Sequence, residues 1–221
     1  AVPIQLHSVF SGNPGTGKTT VAKIYAESLK ECGMLKRGHV IVASRADLVA
    51  GFIGQTAIKT KKKIREALGG VLFIDEAYSL FSNASGDFGK EAIDTLVDEM
   101  TKHNENLAVI LAGYPNEMET LLQSNPGLQS RFKKFFRFPD YSGEELLEII
   151  RSYAGSYQYM IASEAIGFLQ ETLKTAPISG NGRFATNLTA EAIQSQASRI
   201  MSAENAAGKI EHVSLLIKED F

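Results

Sequence analysis

The stretch Ser8-Val9-Phe10-Ser11-Gly12-Asn13-Pro14-Gly15-Thr16-Gly17-Lys18-Thr19-Thr20 runs from an apolar segment through a glycine-rich loop into a helix-forming sequence. From Gly12 to Thr19 the spacing is G-x-x-x-x-G-K-[ST], the pattern of a loop that cradles nucleotide phosphates. A loop wrapped round a triphosphate must turn backbone N–H groups inward, at φ values a side chain obstructs, and the glycines at 12, 15 and 17 permit this. The helix that follows adds its unbonded N–H groups and the positive end of its dipole. Gly12, Asn13, Pro14, Gly15, Thr16, Gly17, Lys18, Thr19 and Thr20 are therefore the candidate phosphate-binding residues. Lys18 supplies a cation for the β- and γ-phosphates, and the Thr19 hydroxyl supplies an oxygen for Mg²⁺.

Outward from this loop, short β-branched runs alternate with amphipathic stretches, the signature of a parallel α/β sheet. Strands are expected at His7–Phe10, His39–Ala43, Val71–Ile74, Leu107–Ala112 and Phe135–Phe138. Helices are expected near 19–32, 56–68 and 89–103, the last with Ile93, Leu96, Val97 and Met100 on its apolar stripe. After Ser142 only helices follow, near 143–153, 163–173 and 184–202, with a loop from Pro177 to Gly182. The expectation is a five-stranded parallel sheet flanked by helices over 1–140, followed by a small all-helical lid over 141–221.

The chain's 221 residues, 44% of them hydrophobic, suffice for such a core, and 23 basic against 25 acidic residues give a net charge of −2. Nothing in that balance points to nucleic acid or an anionic membrane. The single cysteine, Cys32, excludes an internal disulfide and is expected to act as a small apolar residue late in the first helix. No apolar run has the length of a membrane span and the start lacks a signal-peptide pattern, so a cytoplasmic location is expected. Beginning without Met just before the loop, the chain reads as a domain of something longer.

Hydrolysis needs more than phosphate binding. Val71-Leu72-Phe73-Ile74-Asp75-Glu76 ends a buried-type strand in two carboxylates, at the edge where open α/β sheets bind ligands. Asp75 is the candidate for the Mg²⁺ shell and Glu76 for orienting or deprotonating the attacking water. Arg131, in the polar segment Asn125-Pro126-Gly127-Leu128-Gln129-Ser130-Arg131-Phe132, is either a solvated surface arginine or a charge delivered to developing phosphate charge.

Together these residues resemble the AAA+ ATPases, and within them the CbbX type that includes red-type Rubisco activase and stage V sporulation protein K. The resemblance is carried by Gly12–Thr20, Gly54-Gln55-Thr56-Ala57, Gly69–Tyr78, Ile110–Tyr114, Asn125–Arg131, Phe138–Ser142 and Asn181-Gly182-Arg183-Phe184. It implies an ATPase working as a ring, usually a hexamer, with ATP and Mg²⁺ between subunits and a protein substrate drawn through a central pore. Arg131 then matches the arginine finger that acts in the neighbouring site, and Arg183 the lid arginine that touches the γ-phosphate. Ala50-Gly51-Phe52-Ile53-Gly54 matches the first pore loop, with Phe52 and Ile53 gripping the client; packing of both in the core is the alternative. Ser82–Phe88 corresponds to a second pore-loop region. The polar sensor residue expected after the fourth strand falls on Tyr114 or Asn116, and the segment that contacts adenine would lie before Ala1.

Two rival functions remain open on sequence alone. The basic run Lys59-Thr60-Lys61-Lys62-Lys63-Ile64-Arg65 suits a nucleic-acid motor through phosphate contacts, although no stacking aromatics accompany it. A nucleotide-gated scaffold with little turnover is the other.

Overall fold

Five parallel strands carry the first part of the chain. They are β1 (Ser8–Gly12), β2 (Val40–Ala43), β3 (Val71–Ile74), β4 (Ala108–Gly113) and β5 (Lys134–Phe138), in the spatial order β2-β3-β4-β1-β5. The computed structural model describes residues 6–52, 54–81, 88–175, 178–207 and 214–221. It divides into two units, one of Ala1–Gly12 with Gly17–Phe138 and one of Asn13–Thr16 with Pro139–Phe221.

In the first unit the strands are linked by α1 (Lys18–Glu31), α2 (Arg45–Leu48), α3 (Gln55–Ala67), a 3₁₀ turn (Ala77–Leu80), α4 (Gly89–Lys102), α5 (Pro115–Ser124) and α6 (Pro126–Arg131). Of the four crossovers only β1 to β2 runs backwards through the strand order, so a uniform right-handed rule sends α1 to one face and the other helices to the opposite face. The core follows that division. Ala22, Ala26 and Leu29 of α1 pack with Phe10, Val71, Phe73, Ala108, Ile110 and Ala112. The alternate residues Val9, Leu72, Ile74, Val109 and Leu111 pack with Ile64, Ala92, Leu96, Met100 and Leu121 from the remaining helices. Strands β3 and β4, fully buried, read as continuous apolar runs because helices cover both faces. The reversal of order at β1 makes its carboxyl end the switch point at which such sheets bind ligands.

The second unit holds α7 (Gly143–Ser156), α8 (Ser163–Thr175) and α9 (Asn181–Ala207) around Leu146, Ile150, Leu169, Leu173 and Ala185. A capping box starts α7: the Ser142 N–H donates to Glu145 Oε2 at 2.8 Å and the Glu145 N–H to Ser142 Oγ at 3.2 Å. The lid is not helices alone. Two-residue strands β6 (Met160–Ile161) and β7 (Leu215–Leu216) pair in parallel, too short to leave an alternating pattern in the sequence. Arg199 fixes the following turn by donating Nε and Nη2 to the two oxygens of Asp220, each at 2.9 Å.

Three further differences have local causes. Between β4 and β5, where the sequence reading places no helix and names only the polar segment 125–132, the chain forms α5 and α6, each opened by a proline at the first turn. Helix α2 is a single turn, opened by Ser44 and Asp47 as a capping box, in a stretch to which the sequence reading assigns no element. Helix α9 starts at Asn181 rather than at 184, because Gly180 and Asn181 both take positive φ, 95° and 52°, and turn the chain into the helix early. Cys32 is an exposed helix cap, not an apolar packing residue. Among the described residues no helix is long and apolar enough to cross a membrane.

Candidate nucleotide site

The tip of the glycine-rich loop is fixed by the second unit, to which it belongs. Each carbonyl from Asn13 to Thr16 accepts a hydrogen bond from protein. Asn13 O takes the Thr16 hydroxyl at 2.7 Å and Pro14 O takes Asn181 Nδ2 at 3.3 Å. Gly15 O takes the Gly182 N–H at 3.0 Å and Thr16 O takes the Tyr141 hydroxyl at 3.2 Å. In a trans peptide the next residue's N–H points opposite to the carbonyl, and no peptide among the described residues is cis. Holding the carbonyls of Pro14, Gly15 and Thr16 on protein therefore turns the N–H groups of Gly15, Thr16 and Gly17 to the other side, which is how a backbone becomes an anion cradle. Gly15 is obligatory: its φ is +78° and an added Cβ would stand 2.1 Å from the Gly180 carbonyl oxygen.

Asp140 and Asn181 complete this support. Asn13 Nδ2 donates to both oxygens of Asp140 at 2.9 Å, and Asn181 Nδ2 donates to Asp140 Oδ1 at 2.9 Å. These bonds, Asn181's first and then Asn13's, hold the Asp140 carboxyl below the ordinary carboxylate pKa. The buried Asn181 also accepts the Tyr141 N–H at 2.9 Å. Asp140, Tyr141 and Asn181 were not assigned a role from sequence. The positive φ of Asn181 and its contact with Pro14, 167 residues away in the chain, are properties of the fold, and the trace in the sequence is an Asn before a glycine at a helix start.

In the first unit, β1 ends at Gly12 and α1 opens at Lys18, with Gly17 in the left-handed region as its N-cap. Lys18 Nζ donates to Gly12 O at 2.8 Å, which brings the ammonium back to the end of β1. Thr19 is half-buried and Thr20 exposed on the first turn of α1.

At the end of β3, Asp75 continues the ladder with its N–H on Ala43 O at 2.9 Å, and its Oδ1 accepts the Glu76 N–H at 3.0 Å. Glu76 then takes φ 48° and ψ 43°, left-handed and unusual for a residue with a Cβ, before the 3₁₀ turn. The chain turns out of the strand direction here, with Glu76 exposed and Asp75 half-buried. Such strain is found where a side chain is aimed for function. Tyr78 of the turn packs on Tyr114 after β4, ring centroids 5.8 Å apart. Partial burial raises the Tyr78 pKa, and the carboxylates of Glu76, Glu117 and Asp75 add to the rise. Of the two sensor candidates, Tyr114 thus stands in this cluster, whereas Asn116 is exposed on the first turn of α5.

A hydroxyl such as that of Thr19 and a carboxylate such as that of Asp75 are oxygen donors of the kind that would suit Mg²⁺, which keeps several waters and phosphate oxygens. Among the described residues no cluster of three His, Cys, Asp or Glu side chains competes for a metal.

The remaining candidates lie apart. Arg131 ends α6, half-buried, with Leu128 and Phe132 on either side of it in the core. Arg183 is exposed on the first turn of α9. Phe52 is 71% exposed, which overturns the core-packing alternative for it; Ile53 and residues 82–87 of the second pore-loop region lie outside the described residues. The basic run is partly engaged: Lys59 Nζ donates to Ala46 O and Val49 O at 2.5 and 3.1 Å, and Lys63 pairs with Glu66 at 2.9 Å.

Two sequence profiles match nearly all of the chain. That of the "ATPase family associated with various cellular activities (AAA)" matches residues 8–140 and that of the AAA lid domain residues 142–221. Stage V sporulation protein K of Bacillus subtilis (strain 168) is 47% identical over 205 residues, covering 90% of this chain and 64% of that protein. Protein CbbX of Cereibacter sphaeroides is 42% identical over 219 residues, covering 97% of this chain and 71% of that protein. The chloroplastic ribulose bisphosphate carboxylase/oxygenase activase of Cyanidioschyzon merolae is 42% identical over 226 residues, covering 98% and 73%. The chain thus spans about two thirds of the length of these relatives. In fold, it superposes on the FIGL-1 AAA domain solved in complex with ADP with a TM-score of 0.67 at 20% identity, covering 98% of this chain and 69% of that one.

Proposed function

The chain belongs to the AAA family of ATPases, and on that premise we propose that it hydrolyses Mg²⁺-bound ATP and uses the cycle to remodel a protein partner. The observation that carries the remodelling half is Phe52, 71% exposed between α2 and α3 in a fold with ample core to bury it. A solvent-facing aromatic beside Gly51 and Gly54 gives sequence-tolerant contact area on a pliable backbone. In this reading the subunits form a six-membered cytoplasmic ring, and Phe52 with Ile53 lines the pore through which the client is drawn.

Hydrolysis rests on residues with separate tasks. The loop Gly12–Thr20 binds the phosphates through N–H groups and Lys18. Thr19 and Asp75 would hold Mg²⁺, which supplies neutralising charge on the phosphate oxygens when bound. Glu76 orients and deprotonates water, Tyr114 or Asn116 senses the γ-phosphate, and Arg183 contributes charge from the lid. Arg131 serves the neighbouring subunit's nucleotide, a contribution of about 10³ to 10⁵ in rate where such fingers act. A nucleic-acid motor is disfavoured by the engagement of Lys59 and Lys63 within the protein and by the net charge of −2.

Mixed rings test the trans site. Arg131→Ala subunits should bind ATP but not turn it over, and Lys18→Ala subunits should bind none; mixing the two should restore part of the activity. Two inactive pools that stay inactive when mixed, despite co-assembling, would refute action in trans; turnover strictly proportional to protein concentration would argue for a monomeric enzyme, and negligible turnover at every concentration for a scaffold.

A further inference from the structure

Helix α6 has only six residues, Pro126–Arg131, too few to hold a side chain's direction by helix formation alone. The aim of Arg131 is set by what α6 rests on. On one side Leu128 and Phe132 are buried in the core. On the other, Asp94, Val97 and Thr101 of α4 stand at i, i+3 and i+7, a single stripe along that helix. Asp94 Oδ1 accepts Asn125 Nδ2 at 3.2 Å, and Asn125 Oδ1 caps α6 by accepting the N–H groups of Gly127 and Leu128 at 2.8 and 3.2 Å. Next along the stripe, a Cβ on Gly127 would meet Val97 Cγ1 at 2.8 Å, so only glycine lets α6 lie this close to α4. At the end of the stripe, Thr101 Oγ1 accepts Arg131 Nη2 at 2.5 Å while donating to Val97 O at 3.0 Å. That donation commits the hydroxyl proton to the helix and leaves its lone pairs for the arginine.

The guanidinium also donates Nη1 to Gly127 O at 3.1 Å and to Ser130 Oγ at 3.3 Å. These bonds engage three of its five N–H donors, which leaves Nε–H and one Nη2–H for a phosphate. The seat and a phosphate contact are compatible, so Thr101 orients the group without sequestering it.

We propose that Thr101 is a positioning residue for Arg131, with the Asp94–Val97–Thr101 stripe of α4 as the seat that points the guanidinium out of its own subunit. The inference rests on the reading of Arg131 as the group that serves the neighbouring site. Thr101→Val keeps the shape and removes the acceptor; in the assembled ring it should lower kcat about 3- to 10-fold, the size of one such hydrogen bond, with KM for ATP unchanged. Thr101→Ser should recover most of the loss. If Arg131→Ala is inactive but Thr101→Val turns over as the parent does, the seat is refuted and Arg131 keeps its role. The seat is equally refuted if Thr101→Val raises KM alongside kcat loss and Ser fails to rescue it. Normal turnover by Arg131→Ala refutes the role of Arg131 itself, and the seat with it.

Discussion

Replacing Glu76 by Gly and by Ala separates the backbone at this position from its carboxylate. Glu76 sits at φ 48° and ψ 43°, where a residue with a Cβ is disfavoured by about 1–2 kcal/mol and glycine is not. Glycine loses about 0.5–1 kcal/mol through the greater entropy of its unfolded chain. The difference leaves Glu76→Gly more stable than Glu76→Ala by about 1 kcal/mol, the reverse of the order in an ordinary helix or strand. Because the side chain is exposed, both variants lose similarly little contact, so the comparison isolates the backbone. For a chain of this length 1 kcal/mol moves Tm by about 2–4 °C, within reach of calorimetry or circular dichroism melts. Both variants, and the isosteric Glu76→Gln, should retain ATP in equilibrium binding while phosphate release falls about 10²- to 10⁴-fold. An alanine variant as stable as the glycine variant would refute the strained conformation; normal turnover in Glu76→Gln would remove the carboxylate from the chemistry.

Two further outcomes follow from burial. His7 is 5% exposed and its Nδ1 accepts the Val109 N–H at 3.1 Å, and burial, with Arg131 nearby, pushes its pKa down to about 4. Above pH 6.5 the imidazole is neutral in folded and unfolded chains; below it the unfolded chain takes up a proton that the folded one refuses, so stability falls down to about pH 4. Between pH 7 and 5 this amounts to about 2 kcal/mol, and His7→Asn, which keeps an acceptor for Val109, should lose about that much less in denaturant titrations at the two pH values; equal losses would refute the assignment. For Phe52→Ala, exposure of 71% predicts a Tm within about 2 °C of the parent and a fall of about tenfold or more in client-stimulated phosphate release. A large drop in Tm would return the ring to the core.

What the sequence determined by itself was whatever is written in local periodicity and fixed spacing. The alternation of apolar runs with amphipathic stretches specified a parallel sheet, because strands covered on both faces must be apolar throughout. The spacing from Gly12 to Thr19 and the placement of Asp75-Glu76 after Val71–Ile74 located both halves of the candidate site, since each depends on a strand end and its next few residues. Segments too short for a period were illegible: α2, α6, β6 and β7 have four, six, two and two residues. So were bonds between residues distant in the chain. Only the tertiary structure decided that the carbonyls of the loop tip rest on Tyr141, Asn181 and Gly182, that Glu76 takes a left-handed turn, that Phe52 faces solvent, and that Arg131 leans on Thr101. The physical reason is that packing is set by the whole chain: a hydroxyl or amide near a helix end carries no mark of its partner until packing brings the two within 3 Å or so of each other, and neither the turn a residue takes nor the exposure of a ring is fixed before its surroundings are.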